Sequence, residues 1–196
     1  MFIAILAAGL SRRMRGADKL LETVGGLPLL AHLAGVAHET GLPVVVALPP
    51  KNHAPARHAA LTDSGARLIE VPDHAQGMAA SLRKMAQSAP AQASAMLVML
   101  GDMPEIDAAD LRHVIAAANK APGSVIRAST ADGRAGHPVI FPARLWPDLV
   151  RLQGDQGARD MLKSEAVQLC PLPGQHALTD LDTPEAWAAW RAAGNT

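Results

Sequence analysis

The sequence predicts a three-layer α/β/α fold, in which helices cover both faces of a mostly parallel sheet. Three observations support this prediction. Short apolar runs alternate along the chain with segments of helical periodicity. The run Ala95–Leu100 is apolar at every position, as central parallel strands are. The 196 residues contain no linker or repeat, so we expect a single domain over residues 1–196.

Six strands are predicted, each from a short apolar run. Pro43–Leu48, for example, is rich in β-branched valine and bounded by proline. The turn signal Asp132-Gly133 separates the last two runs. In chain order, the predicted strands are Phe2–Leu6, Pro43–Leu48, Ala66–Val71, Ala95–Leu100, Ser124–Ala128 and Pro138–Phe141.

Helices are predicted where apolar residues recur at helical spacing or where a capping residue precedes such a pattern. Pro28–His38 places its leucines on one face. Asp107 stands before a segment in which apolar residues from Leu111 recur at i, i+3, i+4 and i+7. In chain order, helices are predicted over Pro28–His38 and Met78–Gln87, and from Asp107, Asp155 and Thr183 onwards, the last with Pro184 at the favoured first position.

Composition and charge exclude several classes of function. Lysine plus arginine and aspartate plus glutamate both number 18, so no general attraction to nucleic acid or membrane is expected. The chain lacks tyrosine, and its single cysteine, Cys170, excludes a disulfide framework and a cysteine-based zinc site. The N-terminal apolar run is too short for a leader or a membrane span. We therefore expect a soluble, cytoplasmic protein without nucleic-acid or membrane partners.

Three polar or glycine-bearing loops follow predicted strands. They are Ala7–Lys19, Pro72–Ser81 and Gly101–Pro104. In open α/β sheets, ligands bind beyond the carboxyl ends of the strands. We therefore expect these loops to converge on one ligand site.

The first loop combines small residues with four cations. Gly9 suits a tight turn close to a ligand, and Arg13 and Lys19 suit phosphate groups. The loop is not a Walker A loop, because no glycine precedes Lys19 and no serine or threonine follows it. It also lacks the glycine spacing of the dinucleotide fingerprint. The alternative is a flexible surface loop with solvated charges.

Carboxylates at two further places form a candidate Mg²⁺ site. Asp102 follows a buried strand, and Mg²⁺ takes one or two carboxylates together with substrate phosphates. Asp180 and Asp182 lie on the same side of an extended segment, where they and Asp102 form a candidate clamp for a metal and an α-phosphate. The alternatives are a turn cap for Asp102 and a helix-dipole carboxylate before the last helix.

Three other segments are candidate substrate contacts. Gln76–Leu82 begins a predicted helix whose free N–H groups suit an anion or a ribose hydroxyl. His137 lies between glycine and proline, and a structural histidine is the alternative. Gly154–Arg159 is either a substrate contact or a capped helix carrying a solvated arginine.

The ordered set of motifs resembles the molybdenum cofactor cytidylyltransferase group of MobA-like NTP transferases, within the nucleotidyltransferase superfamily. The resemblance covers Ile3 to Trp187, and the full set is much more specific than the first motif alone. The motifs are Leu6-Ala7-Ala8-Gly9-x-Ser11-x-Arg13-Met14, Lys19-Leu20-Leu21, Gly77-Met78-x-x-Ser81-Leu82, Leu100-Gly101-Asp102-Met103-Pro104, Gly136-His137-Pro138-Val139, Gly154-Asp155-x-Gly157-Ala158-Arg159 and Asp180-x-Asp182-Thr183-Pro184.

The resemblance implies a Rossmann-like nucleotidyltransferase fold and a Mg²⁺-dependent transfer of a nucleoside monophosphate from an NTP to a phosphorylated acceptor, with release of pyrophosphate. It implies catalytic roles for Arg13, Lys19 and Asp102, with Asp102 and Asp182 as metal ligands. The implied nucleotide-binding residues are Leu6, Ala7, Ala8, Gly9, Ser11, Arg13, Lys19, Gly77 and Ser81. The implied acceptor-binding residues are Pro104, His137, Asp155 and Asp180.

The resemblance also bears on the substrates. Members with alanine at the position of Ala8 tend to accept CTP, and guanylyltransferases tend to have glycine there, so CTP is the favoured nucleotide. Molybdopterin is the favoured acceptor, and a molybdenum hydroxylase is a candidate client. Pyrimidine-using sugar and isoprenoid nucleotidyltransferases share the alanine, so it does not name the acceptor.

The chain departs from the family pattern at one place. Arg15 lengthens the segment between Met14 and Lys19 by one residue, and the loop gains a cation and the carboxylate of Asp18. We expect Lys19 to keep its role and Arg15 and Asp18 to influence the choice of acceptor or nucleotide.

Two alternatives remain. One is a sugar- or alditol-phosphate nucleotidyltransferase, and the other is a non-catalytic protein that binds cofactor or nucleotide for a molybdenum enzyme. The joint presence of Arg13, Lys19, Asp102 and Asp182 argues against the second, because a carrier needs no metal clamp.

Overall fold

The computed structural model describes residues 1–153 and 158–194, and within them one sheet of seven strands carries helices on both faces. The strands are β1 (Phe2–Leu6), β2 (Thr23–Val24), β3 (Leu27–Pro28), β4 (Val44–Leu48), β5 (Arg67–Glu70), β6 (Ala95–Leu100), β7 (Val125–Ser129), β8 (Ala135–Pro142) and β9 (Val167–Pro171). The helices are α1 (Leu29–His38), α2 (Pro55–Ala60), α3 (Met78–Gln87), α4 (Ala108–Lys120), α5 (Trp146–Val150), α6 (Arg159–Lys163) and α7 (Pro184–Ala192). Strands β2 and β3 form a separate hairpin.

The sheet is mostly parallel, in the order β5-β4-β1-β6-β8-β7-β9. Strands β5, β4, β1 and β6 run parallel to one another, β8 is antiparallel to β6 and β7, and β9 is parallel to β7. The predicted α/β fold is confirmed. The long parallel half brings the carboxyl ends of four strands to one edge.

Burial of both sheet faces holds this architecture together. Every residue of β1 is buried, with Ile3 and Ile5 in one apolar cluster and Phe2, Ala4 and Leu6 in the other. Burying one such isoleucine, leucine or phenylalanine contributes roughly 1.5–3 kcal/mol. The central strand is therefore a rigid base for the loop that follows it.

Most predicted elements are confirmed, with ends that differ by at most three residues. Asp107 caps α4, accepting from the backbone N–H of Asp110 at 2.8 Å, and Thr183 caps α7, accepting from Ala186 at 3.2 Å. Strand β8 begins at Ala135, earlier than predicted. The predicted helix start at Asp155 lies outside the described residues, and α6 begins at Arg159.

Several short elements were not predicted. Strand β9 lies at the sheet edge and exposes most of its residues, and Gln168 interrupts its apolar sequence. Helices α2 and α5 span six and five residues, which is too short for a clear helical period. None of the helices in the described part of the chain has the length and apolar character to cross a bilayer.

Candidate active site

The three predicted loops meet at the carboxyl edge of the parallel strands. The backbone N–H of Gly101 donates to the carbonyl of Leu6 at 3.0 Å. A Cβ on Gly101 would lie 3.2 Å from that carbonyl oxygen, so glycine allows the two loops to approach. This contact brings Asp102 beside the start of the first loop.

A cavity of about 190 Å³ lies between these loops. We call it the loop cavity. It brings together seven of the predicted nucleotide-binding residues and the predicted metal ligand Asp102. Its lining consists of Leu6, Ala7, Ala8, Gly9, Lys19, Leu20, His74, Gly77, Met78, Ser81, Leu100 and Asp102.

A larger cleft of about 1180 Å³ adjoins the loop cavity and shares Gly9, Lys19 and Gly77 with it. Four arginines line this cleft, which suits it to a polyphosphate because guanidinium groups bind phosphate oxygens in pairs. They are Arg12, Arg13, Arg83 and Arg151. The predicted contacts Ser11 and Arg13 lie in this cleft, as does Asp182.

Lys19 joins two carboxylates that come from distant parts of the sequence. Its Nζ donates to Oδ1 of Asp182 at 2.5 Å and to Oδ2 of Asp102. Arg13 donates through Nη2 to the other oxygen of Asp182. Burial by itself lowers the pKa of Lys19, but the two carboxylates outweigh it and raise that pKa above its ordinary value. Lys19 is therefore a fixed cation between Asp102 and Asp182.

The sequence model of the MobA-like NTP transferase domain matches residues 3–169 of the chain. The chain belongs to this family. The prediction of the family is confirmed, and with it the class of enzyme, a nucleotidyltransferase.

A curated relative agrees with this assignment, and two solved structures share the fold. A molybdenum cofactor guanylyltransferase of Pseudomonas paraeruginosa is 32% identical over 198 residues, covering 95% of this chain and 92% of that protein. The crystal structure of Rv0371c from Mycobacterium tuberculosis superposes with a TM-score of 0.83 at 29% identity, covering 96% and 95% of the two chains. A manganese complex of Rv0371C superposes with a TM-score of 0.79 at 27% identity, covering 96% of each chain.

The carboxylates of this family member fit a hard divalent cation. Oδ1 of Asp102 is buried and has no hydrogen-bond partner among the described residues. Partial burial, together with the negative charges of Asp102 and Asp182, raises the pKa of Asp180. Three carboxylates thus act on one another here, and oxygen ligands of this kind suit Mg²⁺.

A second cluster of acidic and imidazole side chains lies at the start of α4, and its members bind one another. Asp107 and Asp110 form the capping box of α4, and His176 contacts Asp110 through Nδ1 at 2.7 Å. These partners satisfy the carboxylates, so we do not assign this cluster as a second metal site beside the one at Asp102.

Arg57, in α2, is a key residue of the site that sequence reasoning missed. Its side chain is 4% exposed and pairs with both oxygens of Asp18, at 2.6 Å from Nε and 2.9 Å from Nη2. Its Nη1 donates to the carbonyls of Ala7 and Gly9, each at 2.7 Å, and Nη2 donates to the hydroxyl of Ser11 at 3.1 Å. One guanidinium therefore fixes the shape of the whole first loop.

The expected tight turn at Gly9 is wrong. Gly9 does not adopt a left-handed conformation, and a Cβ there would meet nothing within 4 Å. Ser11 and Arg15 adopt that conformation instead, with φ of 48° and 53°. Arg57 holds the carbonyl of Gly9, and the absence of a side chain at Gly9 leaves open space at the cleft.

The two residues that distinguish the loop from the family pattern have structural partners. Asp18 binds Arg57 and accepts from the backbone N–H of Leu20 at 3.1 Å. Arg15 pairs with Glu185 at 2.6 Å, and both side chains are exposed. Asp18 therefore stabilises the conformation of the loop, and any effect of Asp18 on the substrate acts through that conformation.

The predicted acceptor-binding residues occupy different places. Pro104 lines a separate cavity of about 620 Å³, whereas Asp180 lies near Asp102 and Asp182. Asp155 lies outside the described residues. His137 lines a further cavity of about 410 Å³, on the other side of Met78 from the loop cavity.

His137 is held in its neutral form. Burial, followed by the positive charge of Arg127, lowers its pKa from 6.5 to about 4. Its Nδ1 is buried and has no hydrogen-bond partner in the described part of the chain. At neutral pH this imidazole is an uncharged hydrogen-bonding group facing a cavity.

The shifted pKa of His137 predicts a pH-dependent loss of stability. The unfolded chain takes up this proton near pH 6.5 and the folded protein only near pH 4, so acid between these values favours unfolding. We expect the free energy of unfolding to fall by up to about 1.4 kcal/mol per pH unit from this group alone. Urea titrations at several pH values measure the slope, and the His137→Gln variant is expected to lose this part of it. Equal slopes in the two proteins would contradict the shift.

Proposed function

We propose that the protein transfers CMP from CTP to a phosphorylated acceptor, with release of pyrophosphate, and that molybdopterin is the acceptor. The Lys19 network carries the proposal. It joins Asp102 and Asp182 to Lys19 and Arg13 at the mouth of a cationic cleft that is large enough for a triphosphate. A carrier of nucleotide or cofactor needs no such balanced set of charges.

In the proposed reaction, a phosphate oxygen of the acceptor attacks the α-phosphorus of CTP, and the bond from that phosphorus to the β-phosphate oxygen breaks. The attacking phosphate is largely ionised at neutral pH, since its second pKa is about 6, so no general base is required. Lys19 and Arg13 offset the negative charge that develops on the phosphates. Arg57 keeps the first loop in the conformation that receives them.

Asp102 and Asp182 are the residues we assign to Mg²⁺, which supplies charge neutralisation to the triphosphate when it is bound. Oδ1 of Asp102, which is buried and unpaired within residues 1–153 and 158–194, supports this assignment. In the absence of a substrate, Lys19 balances both carboxylates.

Ala8 supports the choice of CTP. Its methyl group lies in the wall of the loop cavity, and Ser81 from α3 lies in the same wall. A methyl group in so small a cavity leaves less room for a purine than for a pyrimidine. GTP is the second candidate, because the curated relative reported above carries the name molybdenum cofactor guanylyltransferase.

Replacing Ala8 by glycine is expected to shift the nucleotide preference towards GTP. One methyl group in a binding pocket is worth about 1–3 kcal/mol, so the ratio of kcat/KM for CTP over GTP is expected to fall at least tenfold. Competition between the two nucleotides measures the ratio. An unchanged ratio would show that Ala8 does not select the base.

The acceptor is proposed from the family, and the alternatives are sugar and alditol phosphates. The proposal is tested by measuring pyrophosphate release in the presence of Mg²⁺. Each of the four common NTPs is assayed with and without molybdopterin. Release that requires both CTP and molybdopterin supports it. If pyrophosphate is released only with another phosphorylated acceptor, the proposed reaction stands and the proposed acceptor is wrong. If the protein binds nucleotide without turnover, a non-catalytic carrier is favoured.

A further inference from the structure

The loop cavity is lined by two loops that come from different parts of the chain. The first loop contributes residues 7–9. The segment of residues 72–77, which we call the second loop, contributes His74 and Gly77. Arg57 fixes the first loop, and the second loop depends on other contacts.

The local sequence of the second loop does not by itself fix its position in the site. Its last residue, Gly77, is the N-cap of α3 and has no side chain with which to cap that helix. The φ of Gly77 is 85°, a conformation that glycine adopts without strain. Within the loop, the backbone N–H of Gln76 donates to the carbonyl of Asp73 at 2.9 Å, and that of Gly77 donates to His74 at 3.1 Å. These bonds shape the turn, and contacts with other segments set its position.

Arg83, in the second turn of α3, makes such contacts. Its Nη2 donates to Oε1 of Gln76 at 2.8 Å and to a carboxylate oxygen of Asp73. Its Nη1 donates to the carbonyl of Leu152, just after α5, at 2.7 Å. The side chain is 18% exposed. One guanidinium therefore joins α3, the second loop and the segment that follows α5.

Arg83 holds the second loop in the same way as Arg57 holds the first. Each arginine pairs with an aspartate of its loop, Asp18 for Arg57 and Asp73 for Arg83, and each also donates to a backbone carbonyl. Arg83 lines the large cleft, but its three hydrogen bonds commit both terminal nitrogens to protein acceptors. This arrangement favours a role in holding the loop over a role as a phosphate ligand.

We propose that Arg83 is a positioning residue for the base of the nucleotide, acting by holding the second loop and the start of α3 at the loop cavity. This inference rests on the proposed function, in which the loop cavity receives the base. The effect reaches the nucleotide through Gly77 and Ser81, which line that cavity. Because the cavity measures only about 190 Å³, a displaced second loop changes the fit of the base more than the contacts of the triphosphate in the adjoining cleft. Arg83 thereby contributes to the choice between CTP and GTP.

Calorimetric titrations of the full chain with CTP, GTP and pyrophosphate, each with Mg²⁺, test the proposal. Arg83→Lys keeps the charge and loses the planar fork, and since small misplacements are costly in a preorganised site, we expect CTP binding to weaken about tenfold. The preference for CTP over GTP is expected to fall as well, whereas pyrophosphate is expected to bind as it does to the wild type. The matched control is Arg67→Lys, because exposed Arg67 donates to the carbonyl of Ser88 at the other end of α3, at 3.1 Å. This control is expected to bind all three ligands normally.

A second variant separates positioning from a failure to fold. Asp73→Asn leaves Arg83 in place and removes the charge of its partner, which is 40% exposed. We expect it to weaken CTP binding in the same direction, and the two changes to be non-additive when combined. Urea titration establishes that each variant is folded, and if Arg83→Lys is not, Asp73→Asn decides the question.

Two results would overturn the role of Arg83. Unchanged CTP affinity in the folded variants would show that Arg83 does not position the base. An equal loss of affinity for CTP and pyrophosphate would make it a phosphate ligand instead. If the wild type binds neither CTP nor GTP, the proposed function itself fails, and the inference about Arg83 fails with it.

Discussion

The Asp102→Ala variant is expected to transfer nucleotide about 10²- to 10³-fold more slowly than the wild type, in line with the loss of one preorganised electrostatic group. Asp102 is 13% exposed, contacts Lys19 and keeps its second oxygen free of partners within the described residues. Its loss removes a proposed metal ligand and leaves Lys19 paired with Asp182 alone. Steady-state pyrophosphate release measures the effect, and most of it is expected in kcat.

Two further variants define the meaning of this result. Asp102→Asn keeps the shape of the side chain and removes its charge, and we expect it to be nearly as slow as Asp102→Ala. Asp63→Ala removes an exposed aspartate remote from the site and is expected to leave the rate unchanged. Full activity of Asp102→Asn would exclude a role for the Asp102 charge.

Arg57→Lys is expected to weaken CTP binding about 10- to 100-fold although Arg57 lies behind the loop. A lysine cannot reproduce the paired contact with Asp18 while also donating to Ala7 and Gly9. The loop that carries Ser11 and Arg13 then loses its fixed position, and misplacement of about 1 Å is enough to cost about 10²-fold in a preorganised site. Calorimetric titration with CTP measures the affinity.

Unfolding measurements separate this effect from a general loss of stability. The buried carbonyls left without a donor are expected to lower the free energy of unfolding by about 1–3 kcal/mol, which urea titration measures. Combining Arg57→Lys with Asp18→Asn gives a double-mutant cycle, in which the two changes are expected to be non-additive for CTP affinity. The control Arg112→Lys alters an exposed arginine of α4 and is expected to change neither quantity. Reduced stability with unchanged CTP affinity would limit Arg57 to a structural role.

The site residues that directly follow buried strands were the easiest to predict from the sequence. The apolar runs of β1 and β6 located the first loop and Asp102, because the carboxyl ends of parallel strands share one edge. Asp182 is 163 residues from Lys19, and its contact with Lys19 follows from the position of the segment before α7. The family motifs predicted that Asp182 and Asp102 together hold a metal, whereas the contact between Lys19 and Asp182 was not predicted.

The other features of the site depend on tertiary packing, which a local sequence pattern does not predict. Arg57 lies in a six-residue helix, and its contacts reach residues at sequence separations of 39 to 50. Arg127 is a polar residue in a strand, where a solvent-facing side chain is the ordinary expectation. Gly9 was assigned the turn because glycine tolerates positive φ, whereas Ser11 and Arg15 adopt it here.

The central claim is that the α-phosphorus of CTP is the atom transferred, and isotope tracing tests it most directly. The protein is incubated with Mg²⁺, molybdopterin and CTP labelled with ³²P either at the α- or at the γ-phosphate. We predict that α-label appears in the acceptor product and that γ-label appears only in pyrophosphate, with both signals forming about 10²- to 10³-fold more slowly in Asp102→Ala. Transfer of γ-label to the acceptor, or release of α-label as free CMP alone, would contradict nucleotidyl transfer at this site.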